Sequence, residues 1–158
     1  MVIGIPKEIN NNENRVSIIP FGVEDLKKYR HTILVQSQAG SGSGFDDESY
    51  HLAGAEIIES PEEIFERADL IIKVKEPQPE EYAMIRENQI VFTYFHFAAN
   101  EALTLGMIAS KSIAIAYETV QNNDGEYNHM TNEFIQTLDL FSDIYPELVD
   151  IDNDTWLD

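Results

Sequence analysis

Three residues carry side chains suited to work on a small anion. Arg15 follows the polar run NNNEN and precedes the apolar run VSII. Its guanidinium is a planar fork that matches a carboxylate; the alternative is a surface ion pair. Lys75 closes the apolar run LIIKVK, residues 70–75, just before Glu76 and Pro77. An ammonium at the end of a strand can hold a carboxylate, or it can snorkel to water together with Lys73. His96 ends the run QIVFTYF and sits between Phe95 and Phe97. Imidazole exchanges a proton near neutral pH; the alternative is a histidine hydrogen-bonded at the rim of a core. Two cations and one acid–base group make a set that could bind an anion and move a proton on it.

Other candidates are weaker. His31, His51 and His129 are expected at the surface, and no spacing among the four histidines suggests a metal site. The run GSGSGF, residues 40–45, could cradle an anion with backbone N–H groups. It lacks the G-x-G-x-x-G spacing because position 45 is Phe, and a flexible turn is the better reading. The run DIDND, residues 150–154, starts like a calcium loop but has Thr155 where glycine is needed.

The elements that must position these residues read as alternating strands and helices. VIGI (2–5), TILVQ (32–36), AEIIE (55–59), LIIKVK (70–75), QIVFTYF (89–95) and SIAIAY (112–117) are short and rich in β-branched or aromatic residues, as strands are. Helices are expected over 20–30 from Pro20, over 46–54 closing at Gly54, over 61–68 after Ser60, over 79–88 and over 100–110. Alternation of this kind predicts a mostly parallel sheet with helices on both faces. Lys75 and His96 then fall at the carboxyl ends of strands, where such sheets bind ligands. Within 70–75, strict alternation would put Ile71, Lys73 and Lys75 on one face.

Composition narrows the function classes. The chain has 158 residues, 10 Lys+Arg against 29 Asp+Glu, a net charge of −19 and no cysteine. So acidic a body is unsuited to nucleic acid or to an anionic membrane surface. Without cysteine there are no disulfides, thiolate metal sites or thiol nucleophiles. No leader or membrane span is expected, and a cytoplasmic location is. The character changes near Gly125. Residues 130–158 carry eight acids and no Lys or Arg, and no glycine follows Gly125. Phe134, Leu138, Phe141, Tyr145 and Leu148 would share one helical face.

The surroundings of the three candidates are distinctive together. GIPKEINNNENRVSIIPFGVEDL, AGSGSGFDDESY, AGAEI, IIKVKEPQPEEY, FTYFHFAA and IAYETVQNNDG run in the order found in NAD-dependent alanine dehydrogenases. Residues 1–125 resemble the N-terminal substrate domain of that family, and the related transhydrogenase domains less well. The resemblance implies an α/β domain with a Rossmann-like sheet and the interconversion of L-alanine with pyruvate and ammonia. On the family's pattern Arg15 and Lys75 bind the substrate's carboxylate end. His96 acts as acid–base on the carbonyl oxygen or carbinolamine, and Lys73 supports Lys75. Glu8, Tyr94 and Glu118 lie in matching motifs without a role.

The resemblance also implies NAD as cofactor, held by a following domain with a glycine-rich turn. Here the likeness fades after Gly125. Residues 126–158 are expected to form an acidic tail with an amphipathic helix over 131–150, and hydride transfer by this chain alone is not expected. Three functions remain open. The domain is part of an enzyme that needs a separate NAD-domain protein; or it is a non-catalytic module for a small 2-oxo acid or amino acid; or it is an interaction protein acting through the tail. An oligomer is compatible with each.

Overall fold

The computed structural model describes residues 1–120. Within them six strands alternate with four helices: β1 (Val2–Ile5), α1 (Pro20–Lys28), β2 (Thr32–Gln36), α2 (Asp47–Leu52), β3 (Glu56–Ile58), α3 (Pro61–Arg67), β4 (Leu70–Ile72), β5 (Ile90–Thr93), α4 (Glu101–Ser110) and β6 (Ile113–Ala116). All neighbouring strands pair in parallel, in the order β3-β2-β1-β4-β5-β6. The chain winds from β1 toward β3 and then restarts beside β1 with β4. The winding direction therefore reverses between β1 and β4, and a crevice opens there at the carboxyl edge.

Side chains alternate across the sheet with the period of two that strands impose. Ile3, Ile5, Ile33, Val35, Leu70, Ile72, Ile90 and Phe92 face one core with Val23 and Leu26 of α1 and Tyr50 of α2. Leu34, Ile71 and Val91 face the other, with Ile64 and Phe65 of α3 and Leu103 and Met107 of α4. Gly4 is needed where β1 meets α3: a Cβ there would lie 2.6 Å from Ile64 Cγ2 and 2.9 Å from Ala68 Cβ.

The helix starts follow local chemistry. Asp46 and Asn100 accept the backbone N–H groups of Ser49 and Leu103, and Ser60 that of Glu63. Pro20 and Pro61 open α1 and α3, where their missing N–H costs nothing.

Three expectations need correction. Residues 79–88 form turns, not a helix. The Glu81 carboxylate turns inward, accepting from Gln78 N–H and Lys73 Nζ. The strand expected over 70–75 stops at Ile72, so alternation does not govern Lys73 and Lys75. His31 is buried at 4% exposure, with Nδ1 3.4 Å from the Met1 amine. It sits where the chain leaves α1 to enter β2. The expected tail helix over 131–150, His129, the DIDND run and the boundary at residue 125 lie outside the described residues.

Candidate functional site

The loop after β1, residues 6–19, reaches over the carboxyl edge of the sheet. Ser17 ties it down by donating to Ile72 O at 2.9 Å, and Tyr50 donates to Ile18 O at 2.8 Å; both contacts are buried. Arg15 projects from this loop with its side chain 61% exposed. Its Nε and Nη2 donate to the two oxygens of Glu13 at 2.8 and 2.6 Å, and its backbone N–H donates to Glu13 Oε1. This bidentate contact holds the Glu13 carboxyl down to about 2, with the nearby Lys75 charge adding to it.

Lys73 and Lys75, two residues apart, have opposite fates. Lys73 is fully buried, its Nζ 2.9 Å from Glu81 Oε1 and 3.2 Å from Glu8 Oε2. The reading in which both lysines reach water is therefore wrong for Lys73. Burial raises the Glu8 carboxyl above its ordinary value although the Lys73 charge opposes this. Lys75 is half-buried and makes no ion pair among the described residues. The bend that separates the two lysines is fixed by Glu8, whose Oε1 accepts Val74 N–H at 2.7 Å and Lys75 N–H at 3.5 Å.

His96 follows β5 in the left-handed region, φ 52° and ψ 40°. Histidine visits this region more readily than most residues, but the conformation still costs about 1 kcal/mol or more. Glu118, just after β6, holds the turn: its carboxylate accepts Phe95 N–H at 3.1 Å and His96 N–H at 2.7 Å. The exposed imidazole stacks on Tyr94, ring centroids 5.6 Å apart and planes within 3°. Tyr94 in turn meets Tyr117 edge-on at 5.2 Å. Burial, then the Glu118 charge, raises the Tyr94 phenol, and the nearby Arg15 charge opposes the rise.

Arg15, Lys75 and His96 thus all lie on the carboxyl edge, on the segments after β1, β4 and β5. Electrostatic contact links Lys75 to Glu13, and Arg15 to Tyr94 beneath His96. The GSGSGF run is a short 3-10 turn closed by Gly44 at φ 86°, as a turn reading requires. Among the described residues no group of three His, Cys, Asp or Glu side chains converges as a metal site. Sequence reasoning left Glu8, Tyr94 and Glu118 without a role. The signal for Glu8 was an acid next to Lys7, three residues past the end of a buried strand; nothing local marks Glu118.

A six-stranded, doubly wound parallel domain with a cationic and histidine-bearing carboxyl edge is the class that fold and site define. The profile described as Alanine dehydrogenase/PNT, N-terminal domain, matches residues 4–132, and the chain belongs to that family. Alanine dehydrogenase of Methanococcus maripaludis is 49% identical over 124 residues, 78% of this chain and 33% of the relative. That of Bacillus subtilis is 50% identical over 120 residues, 76% of this chain and 32% of the relative. A solved L-alanine dehydrogenase superposes with a TM-score of 0.77 at 42% identity, covering 80% of this chain and 35% of that one. A transhydrogenase from Sinorhizobium meliloti gives 0.71 at 27% identity, covering 78% and 36%. The chain therefore spans about a third of the length of these relatives.

A nicotinamide dinucleotide does not fit the described residues. Sheets that bind one follow the first strand with a glycine-rich turn and a helix N-terminus facing the pyrophosphate. Here Pro6, Lys7, Glu8 and Ile9 follow β1, and α1 begins only at Pro20. A buried carboxylate, Glu8, stands at the switch point and holds backbone N–H groups there.

Proposed function

We propose that this domain binds pyruvate or L-alanine as the substrate half of an alanine dehydrogenase-type reaction. Arg15 and Lys75 hold the carboxylate. His96 gives a proton to the substrate's carbonyl oxygen as ammonia adds to that carbon to form the carbinolamine. It protonates the same oxygen again as it leaves as water, so that a C=N carbon is what is reduced; the reverse direction returns these protons. The redox step belongs to NAD on a second domain beyond the described residues, in the same or another chain, and the setting is cytoplasmic.

The observation that carries this reading is Lys75. In a chain with 29 acids and 10 cations, a half-buried ammonium beside Arg15 has no ion-pair partner among the described residues. A small carboxylate would supply one. Pyruvate titrated into the full chain by calorimetry should bind weakly, and Lys75→Ala should weaken binding about ten- to a hundredfold, the effect of losing one charge-assisted contact. Identical titrations of wild type and Lys75→Ala would overturn the site.

A second reading is a non-catalytic module for a small 2-oxo acid. The buried Glu8 where a dinucleotide cradle would stand is compatible with both readings, since neither needs NAD on the described residues. Pyruvate binding that persists with no turnover when an NAD-domain protein is added would support that reading over the first.

A further inference from the structure

The carboxyl ends of β4 and β5 carry the same device. After β4, one oxygen of Glu8 takes two consecutive backbone N–H groups, Val74 at 2.7 Å and Lys75 at 3.5 Å. After β5, the Glu118 carboxylate takes two consecutive N–H groups, Phe95 at 3.1 Å and His96 at 2.7 Å. Each acid comes from a distant segment, 66 and 23 residues away from the first N–H it holds. In both cases the second N–H belongs to the residue whose side chain the proposed reaction uses.

We propose that Glu8 and Glu118 are positioning residues for Lys75 and His96. The role in the reaction rests on the reading given above; the positioning itself does not. Consecutive N–H groups at a strand end point outward together and form a small anion-binding concavity. A carboxylate seated in it fixes the two peptide planes, and with them the direction in which the next side chain leaves the backbone. At His96 the need is plain. A non-glycine residue at φ 52° relaxes toward extended backbone unless its surroundings hold it. Glu118 supplies the hold, and the stacking of the imidazole on Tyr94 depends on it.

Glu8 does the same for Lys75 while its other oxygen pairs with Lys73 at 3.2 Å. Lys73 thus anchors Glu8, Glu8 sets the bend, and the bend sends Lys75 to the site edge. The two carboxylates also occupy N–H groups that would otherwise compete with Arg15 and Lys75 for an incoming anion.

The test uses the full chain, with Glu118→Ala and Glu118→Gln compared by NMR and hydrogen exchange before any ligand is added. Stacking on Tyr94 shifts the His96 ring protons upfield. Glu118→Ala should move them toward free-histidine values and speed exchange of the Phe95 and His96 amides about tenfold or more, as loss of charge-assisted hydrogen bonds does. Glu118→Gln keeps an acceptor oxygen and should retain most of both signals. If Glu118→Ala leaves the ring shifts and both amides unchanged, the proposal is wrong. For Glu8, whose removal leaves Lys73 with Glu81 alone, Glu8→Ala, the pair Glu8→Ala with Lys73→Met, and Glu8→Gln are compared. The first two should speed exchange at Val74 and Lys75 but not at Phe95 or His96, and Glu8→Gln, which keeps the acceptor, should speed it less; uniform effects would refute a local role. Pyruvate binding is read last. If wild type binds none, the substrate reading fails while the exchange and shift data still decide positioning. If wild type binds, Glu118→Gln should weaken it less than Glu118→Ala; equal losses with unmoved ring shifts would overturn the proposal.

Discussion

Replacing Lys73 with Met should be the most damaging single change of one charged side chain in the described structure. The ammonium is fully buried between Glu8 and Glu81, at 3.2 and 2.9 Å. At an effective dielectric constant near 20, each contact gives about 5 kcal/mol of attraction. Desolvation of three ions, at several kcal/mol each, offsets most of that, so the intact trio contributes little net stability. Removing only the cation is different. Two carboxylates, each side chain 4% exposed, then face each other without compensation. Breaking a buried pair in this way costs about 3–5 kcal/mol. Against a total of about 5–15 kcal/mol that is a large share, worth about 10–20 °C in Tm for a domain of this size.

The sign of the pH dependence is a second check on Lys73→Met. Glu8 already has a raised pKa in the folded state, and losing the Lys73 charge raises it further. A raised carboxyl binds more protons folded than unfolded, so its folding contribution is best at low pH and is lost as pH rises. The destabilisation by Lys73→Met should therefore be larger at pH 8 than at pH 5. Urea unfolding at both pH values measures it. If the variant is too unstable, Glu8→Gln together with Lys73→Met should recover part of the loss. A cost under about 1 kcal/mol, equal at both pH values, would refute the buried trio.

Other outcomes follow from buried polar groups. His31 is held down to about 4 from 6.5, first by burial and then by the Met1 amine. A depressed histidine stabilises above its unfolded pKa and loses that contribution as pH falls, so stability should drop by about 2 kcal/mol between pH 7.5 and pH 5; a His31→Gln variant that keeps the same slope in urea unfolding would exclude this origin. Thr93 Oγ1 is buried without a hydrogen-bond partner among the described residues. Thr93→Val should stabilise by about 1 kcal/mol because it removes an unsatisfied hydroxyl while keeping the shape; a lowered Tm would show that the hydroxyl is satisfied in solution.

The sheet was legible because its strands are short β-branched runs whose facing residues meet two cores. Most helices were legible because their caps are local: Asp46, Ser60 and Asn100 act on N–H groups three residues on. What failed was set by distant partners. The helix expected over 79–88 is lost because Glu81 serves Lys73, which no window around residue 81 reveals. The shared face expected for Lys73 and Lys75 is lost because Glu8, more than 60 residues away, bends the chain between them. Arg15 and His96 fall on the expected edge because strand ends fix that edge. The acids that hold them differ in range. Glu13 is two residues from Arg15 and was visible in NENR, whereas Glu118 lies 22 residues from His96 on another strand's end.

These acids also bear on which anion the edge would accept. All ten Lys and Arg residues lie within residues 1–120. Among them Arg15, Lys28, Arg67, Lys73 and Lys111 pair with carboxylates, and Arg86 caps the Phe65 and Ala68 carbonyls. Lys75 makes no ion pair among the described residues; Glu13, whose carboxyl feels its charge, is committed to Arg15, and Glu8, which holds its backbone N–H, to Lys73. An arriving monocarboxylate meets one open ammonium and shares one guanidinium with Glu13. A second carboxylate on the ligand would add a charge near Glu13 and Glu118, the acids that line this edge beside Arg15 and His96. Like charges brought together in this way cost several kcal/mol when desolvated. Oxaloacetate should therefore bind at least about tenfold more weakly than pyruvate in the same calorimetric titration. Substituting Glu13→Gln should narrow that gap, since it removes one opposing charge and frees the Arg15 fork. Equal affinity for the two acids, unchanged by Glu13→Gln, would mean that Arg15 and Lys75 do not face the ligand together.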